Sequence, residues 1–551
     1  MLFFNVLPAV FTLKHVKRTT MMLNKKQNKQ LLLFLISIIV LTCLYWGNRK
    51  TDFFMDEIYS FGLSNSYFAP FLSSIKGGTL AGNIVSHNEF IDYLTVGSSD
   101  KFAIASTVYN QSKDVHPPLF YIMLNTVSSL FPGVFSKWLC IIPNIIFYVL
   151  TMVTLYKTAY LLYGNEKYGI ITVLLYGLGR GGISTVMMVR MYMLKTLLVV
   201  LLAFLVLQLL NSADKNEPIH INRLFAIFLV IFSGLMTQYF YVFYAFFISA
   251  FAFFYLLLKK KYSHALSFAV SALAGSLLFA YVYFRFINNV NNQSVGNSVL
   301  DSAFAFTQRI HQVLVFCKKL LLSFPIAICV CCVLILLLIF NSAIKKKNIV
   351  FTRKDLLSCI IIMPAILSFF FVSVIAVYPE LRYVYSVIPM LIMTSAWVLH
   401  LYEQNIKSID ISVKSITLCT VAMIIILFIN EPEWIYSSHS GKYDCLKGSE
   451  ASPCIYYLTD DNPAVPAVTQ DLVQLADFND VLFINNIDTG TIQSYVSDHN
   501  SDSCIFFYMD FFKRLDPKSS AEDFLKNSGT GYNSYELLYE TDISYVYKFT
   551  K

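Results

Sequence analysis

Residues 31–46 read LLLFLISIIVLTCLYW, sixteen positions without a charge. Behind them, within residues 1–30, stand Lys14, Lys17, Arg18, Lys25, Lys26 and Lys29; ahead come Gly47, Asn48, Arg49 and Lys50. A basic segment before an apolar run has the outline of a secretory leader. No small-x-small cleavage site follows, so the pattern predicts an uncleaved anchor with residues 1–30 as a cytoplasmic basic N-terminus. With Gly47 the run reaches the lower end of the roughly 17–25 residues that cross a bilayer.

Runs of this kind recur as far as Asn430. Only 14% of the 551 residues are charged and 56% are hydrophobic, well below the roughly 25% charged norm of soluble chains. The apolar runs predict helices near 31–47, 138–160, 168–187, 191–210, two within 224–258, and others near 263–284, 320–341 and 355–378. Two more close the set by residue 430. The net charge of +8 is explained by basic loops rather than by an acidic partner. Placed by the positive-inside rule, the N-terminus and the triplets 259–261 and 345–347 fall on the cytoplasmic side. Residues 117–131 are apolar but short for a span, and counting them would move both triplets outside; they read as an interfacial or re-entrant helix. The expected fold is therefore an all-α polytopic membrane protein of about eleven helices, spanning 31–430 with a first extracytoplasmic loop at 48–136. Outside the loops no basic stripe suggests nucleic-acid binding.

This topology gathers Asp56, Glu57, Asp114, His116, Arg190, Gln238, His311 and Arg382 on the extracytoplasmic face. Taken singly, each is explained as a helix cap or a snorkelling side chain. Ionisable groups at span ends are costly, and several of both signs converging on one side favour a site over separate caps.

Five stretches carry a family resemblance. They are Phe53-Phe54-Met55-Asp56-Glu57-Ile58-Tyr59-Ser60, Asp114-Val115-His116-Pro117-Pro118-Leu119-Phe120-Tyr121, Val189-Arg190-Met191-Tyr192, Thr237-Gln238-Tyr239-Phe240, and Arg382-Tyr383 ahead of Pro389. In this order they resemble the GT-C superfamily of membrane glycosyltransferases, in the branch of protein O-mannosyltransferases and aminoarabinose lipid A transferases. The resemblance covers roughly residues 31–400. It departs at Met188, where the family often has Glu, and at Gln238, where it often has His.

The resemblance implies transfer of a sugar, with inversion, from a polyprenyl-phosphate carrier to a protein or glycolipid acceptor. Such chemistry needs a base for the acceptor's proton and stabilisation of the departing phosphate. Asp56 is the expected base, with Glu57 as second choice or as its support. Arg190 and Arg382 suit a phosphate through their planar guanidinium groups. His116, Tyr192, Gln238 and Tyr383 complete the expected substrate contacts. Asp114 is expected to share either the substrate or a divalent cation with Asp56. The family has metal-using and metal-free members, and no dense ligand cluster decides between them. Arg180, among Gly177, Gly179, Gly181 and Gly182, is expected to contact the carrier phosphate or pair with an acid.

The segment 431–551 has a soluble composition. Strand patterns at 454–458, 481–485 and 504–509, helical patterns near 469–477 and 521–527, and a hairpin over 535–549 predict a small extracytoplasmic α/β domain. Eight of the eleven cysteines lie in or beside spans and read as small apolar residues. In the tail, an oxidising compartment would let Cys445 and Cys454 form a disulfide, leaving Cys504 odd and buried. A transporter or flippase for a glycolipid or polyprenyl substrate is the competing reading, and it predicts paired halves with broken midplane helices. An inactive carbohydrate-binding relative is a third reading.

Overall fold

The computed structural model describes residues 25–114, 116–287, 306–346, 348–409, 412–459, 467–509, 517–541 and 543–551. Residues 1–24 of the expected N-terminal basic segment, most of the loop 285–318, Lys347 and the hairpin's Asp542 lie outside the described residues.

Among the described residues, eight helices are long and apolar enough to cross a membrane: Gln27–Arg49, Trp138–Tyr163, Tyr192–Asp214, Tyr241–Leu258, Tyr262–Tyr283, Pro325–Lys345, Arg353–Ile375 and Leu381–Asn405. A ninth crossing is a pair, Glu166–Gly177 and Arg180–Met187, bent by 60°. Ile221–Thr237 and Val413–Ile429, each 17 residues and so about 25 Å long, are shorter apolar helices where the sequence predicted two further spans. Leu119–Ser129 has 11 residues, too short to span, and packs on the helix Met55–Asn65. The protein is a multi-pass membrane protein.

The bend in the ninth crossing has a packing cause. A Cβ on Gly179 would lie 2.2 Å from the Phe324 ring, and one on Gly181 2.7 Å from it. The glycines let Phe324, at the turn before Pro325, enter the break. Arg180 there donates through Nε to the Glu431 carbonyl at 2.8 Å and lies 3.8 Å from the Glu433 carboxylate. Of its two expected roles, the structure displays the pairing with an acid.

A six-stranded sheet has the order β1-β3-β2-β4-β6-β5. Here β1 is Ile84–Ser86, β2 Cys454–Tyr457, β3 Asp480–Ile484, β4 Ser503–Met509, β5 Ser534–Glu540 and β6 Ser544–Thr550. β2 runs parallel to β3 and β4, whereas β6 is antiparallel to β4 and β5. The tail does not build this sheet alone: edge strand β1 comes from the first loop and pairs antiparallel with β3. Strand periodicity gives the sheet two apolar faces. Cys454, Tyr456, Val481, Phe483, Ile505 and Phe507 join the core that continues into the helices. Ile455, Leu482, Cys504, Phe506 and Phe549 form a separate cluster on the other face.

That alternation corrects the disulfide expectation. Cys454 is fully buried on the core face, while Cys445 is exposed in the short turn Asp444–Leu446, and both are free thiols. Cys504 is buried, as its position in a buried strand implied.

Candidate active site

The helix Met55–Asn65 begins six residues after the first span ends at Arg49, so its opening acids sit where the chain leaves the bilayer. Its first turn is held by Glu57, whose side chain is fully buried. Glu57 Oε2 accepts from the Phe54 amide at 2.7 Å and from Lys50 Nζ at 2.9 Å, and Oε1 accepts from the Val189 amide at 2.7 Å. Asp56 is left as the carboxylate facing outward, its side chain 26% exposed.

Two arginines close on Asp56. Arg382 Nη1 donates to its Oδ2 at 2.7 Å. The Arg382 guanidinium, 6% exposed, lies 4.8 Å from the Phe54 ring, 5.3 Å from Tyr383 and 5.8 Å from Trp434. Arg190 Nη1 donates to the Asp56 carbonyl at 2.9 Å and reaches Ser60 Oγ at 3.4 Å. Its Nη2 is 3.4 Å from His116 Nε2. The imidazole stacks on Tyr239 with centroids 6.0 Å apart, and its Nδ1 is 3.0 Å from Asp114 Oδ2.

Burial disfavours ionising Asp56, but Arg190, Arg382 and His116 outweigh it and hold the carboxyl below the usual carboxylate range. The Nε atoms of both arginines are buried without a hydrogen-bond partner. Orphaned charged donors of this kind are costly unless an anion satisfies them.

The structure thus joins Asp56, Asp114, His116, Arg190 and Arg382 in one chain of contacts. Tyr192 is buried edge-on to Tyr385, with centroids 6.2 Å apart. Gln238 is also buried, its Oε1 accepting from Lys195 Nζ. His311 is exposed on the helix Phe306–Ser323 and makes none of these contacts. Among the described residues no group of three or more His, Cys, Asp or Glu is placed to hold a metal ion. Of the two carboxylates expected to share a cation, Asp56 faces Arg382 and Asp114 faces His116.

Sequence reading missed Lys50, Lys195 and Trp434. Lys50 looked like an ordinary basic flank of the first span. Lys195 carried a usable signal, a lone cation inside an apolar run. Its Nζ also reaches the Tyr383 carbonyl at 3.3 Å. Trp434 had no local signal.

No protein-family model matches this chain, and no curated protein matches it. Among solved structures, the crystal structure of ArnT from Cupriavidus metallidurans bound to undecaprenyl phosphate is similar over 94% of this chain and 97% of that one. The TM-score is 0.50 at 11% identity. The archaeal oligosaccharyltransferase AglB from Archaeoglobus fulgidus, in complex with an inhibitory peptide and a dolichol-phosphate, aligns over 94% of this chain and 74% of its own. There the TM-score is 0.40 at 11% identity.

Proposed function

We propose that this chain, which has the fold of the GT-C membrane glycosyltransferases, transfers a sugar from a polyprenyl-phosphate carrier to an acceptor hydroxyl or amine. The observation that carries the reading is the Asp56 cluster: one partly exposed carboxylate between two buried arginines, each with an unsatisfied Nε, directly outside the first span. The similar ArnT structure holds undecaprenyl phosphate, which is the class of carrier proposed here.

Asp56 takes the acceptor's proton as the nucleophile attacks the anomeric carbon. A single displacement of this kind inverts the configuration. Arg382 and Arg190 receive the departing phosphate, where charge grows as the glycosidic bond breaks. In the resting protein Arg382 occupies the Asp56 carboxylate. A phosphate that recruits the guanidinium frees that carboxylate for the proton, so donor binding primes the base. His116, oriented by Asp114, steadies Arg190 from the side of the phosphate and the sugar. Whether Asp56 and Asp114 also hold a divalent cation is tested by adding chelator to the same assay; no step above depends on one.

The cluster is assigned to the extracytoplasmic side. Lys260, Lys261, Lys345 and Lys346 stand at the opposite ends of the spans, as do the ion pairs Arg353–Asp214 at 2.6 Å and Lys167–Glu403 at 2.6 Å. A glycolipid or polyprenyl transporter is the competing reading, and it draws on the bent crossing at Gly177–Arg180. The polar cluster is built around Asp56, just past the first span, rather than on the glycines of that bend, which favours transfer chemistry.

The test is sugar transfer by purified protein from a panel of polyprenyl-phosphate sugars to cell-envelope acceptors, with Asp56→Asn as control. Transfer by wild type and not by the variant supports the reading. Vesicle translocation of the lipid without any transfer product sinks it.

A further inference from the structure

Lys50 and Glu57 have fully buried side chains 2.9 Å apart. A buried ion pair is weak evidence for net stability, because desolvating two charges offsets much of their attraction. The informative feature is where the pair's other hydrogen bonds end. Glu57 accepts from Val189, the residue before Arg190, and from Phe54, whose ring lies against the Arg382 guanidinium. Lys50 Nζ donates at 2.6 Å to the carbonyl of Trp434, whose ring also contacts Arg382. Beside it, the Thr51 amide donates to the Ile435 carbonyl at 3.0 Å.

We propose that the Lys50–Glu57 pair is the positioning element of the site, holding the segments 53–57, 188–190 and 434–436 in one register, with Glu57 outside the proton transfer. Deepening the transferase reading, this rests on it for the catalytic consequence. Glu57 already receives three donors and has no exposed surface, so an acceptor substrate cannot reach it. Its bonds cross 132 positions to Val189, and those of Lys50 cross 384 to Trp434. Nothing in the local sequence of either segment supplies that register. A neutral amide at position 57 has a single acceptor oxygen and cannot serve all three donors. Losing the register displaces Arg190 and Arg382 from Asp56, and a misplacement of about 1 Å costs roughly 10²-fold in rate.

The experiment compares the full-length wild type with Glu57→Gln, Lys50→Met and the double variant. It reads amide hydrogen exchange and transfer per folded molecule. Glu57→Gln is expected to lose protection at all three segments together, with turnover down by roughly 10²-fold. The double variant is expected to recover about tenfold over the worse single, since no uncompensated charge stays buried. The acidic limb of its pH–rate profile should stay where Asp56 sets it. Exchange that rises only in the first turn of the Asp56 helix would overturn the proposal. So would unchanged exchange with Glu57→Gln and the double equally inactive, which would make Glu57 the proton acceptor. Lowered thermal stability with unaltered turnover reduces the pair to a plain structural contact and also overturns it. If wild type transfers no sugar from any donor, the functional reading falls, and the exchange measurement still decides the register.

Discussion

Arg382 donates a 2.7 Å hydrogen bond to the Asp56 carboxylate across 326 positions of chain. Asp56 follows the first span, whereas Arg382 opens the span Leu381–Asn405, so this contact joins opposite ends of the membrane module. Exposed ion pairs contribute about 0–1 kcal/mol, while breaking a buried pair costs about 3–5 kcal/mol. With the arginine 6% exposed and the carboxylate 26%, this pair lies between those limits. Its carboxylate is the more accessible partner, as a proton acceptor has to be.

Asp56→Asn keeps the side chain's shape and removes the proton acceptor. The prediction is a fall in turnover of roughly 10²–10⁴-fold with donor affinity kept or raised, since Arg382 is no longer held by the carboxylate. Single-turnover transfer and donor binding on detergent-purified protein check it. Near-normal transfer by Asp56→Asn beside an inactive Glu57→Gln would reverse the assignment of the two acids.

Arg382→Lys keeps a charge but loses the bidentate fork, so it is predicted to rescue only part of the loss in Arg382→Ala. Removing this cation also removes part of what holds the Asp56 carboxyl low, so its pKa rises. The acidic limb of the pH–rate profile should therefore move to higher pH in Arg382→Ala. An unmoved limb with unaltered donor affinity would show that Arg382 only anchors its helix.

Membrane orientation is predicted from the helix ends. Cys445 is exposed on the tail and should label from outside intact cells with an impermeant thiol reagent, while buried Cys454 and Cys504 stay protected. A cysteine replacing Lys346 should stay unlabelled until the membrane is opened. Labelling of that position in intact cells would invert the topology and displace the proposed site with it.

Asp471 lies buried on the helix Ala467–Leu475, which packs against the Asp56 helix, and burial pushes its carboxyl up to about 7. Tyr456 and Ser544 donate to its two oxygens at 2.9 and 3.0 Å and oppose that rise. Between the ordinary aspartate value of 3.8 and about 7, the folded chain holds a proton that the unfolded chain has lost. This contribution to stability is complete below 3.8 and disappears as pH rises through about 7. Asp471→Asn should flatten the decline. Thermal unfolding between pH 5 and 8 measures it, and parallel curves for variant and wild type would refute it.

How far the sequence reaches is clear from particular residues. Residues 31–46 and the lysines at 259–261 and 345–347 announced spans, because crossing a bilayer depends on local length, hydropathy and flanking charge. The short Leu119–Ser129 was legible for the same reason. Asp56, Asp114, His116, Arg190 and Arg382 were legible as costly polar groups at span ends, and the structure brings their side chains into contact.

Lys50 and Glu57 show where that legibility stops. Lys50 appeared as an ordinary flanking charge and Glu57 as the alternative base or the support of Asp56, and only the fold revealed bonds from them to Trp434 and Val189. β1 is three residues long, too short for any alternation to register, and is a strand only because β3 offers it an edge. The expected Cys445–Cys454 bridge failed because the sheet turns Cys454 inward while Cys445 stays exposed. The sequence by itself determined the membrane class, the apolar spans and which polar residues stand at their ends, since each depends on a contiguous stretch of chain meeting lipid or water. Tertiary structure alone decided which carboxylate faces outward and which is enclosed, because a side chain's partners come from segments hundreds of positions away.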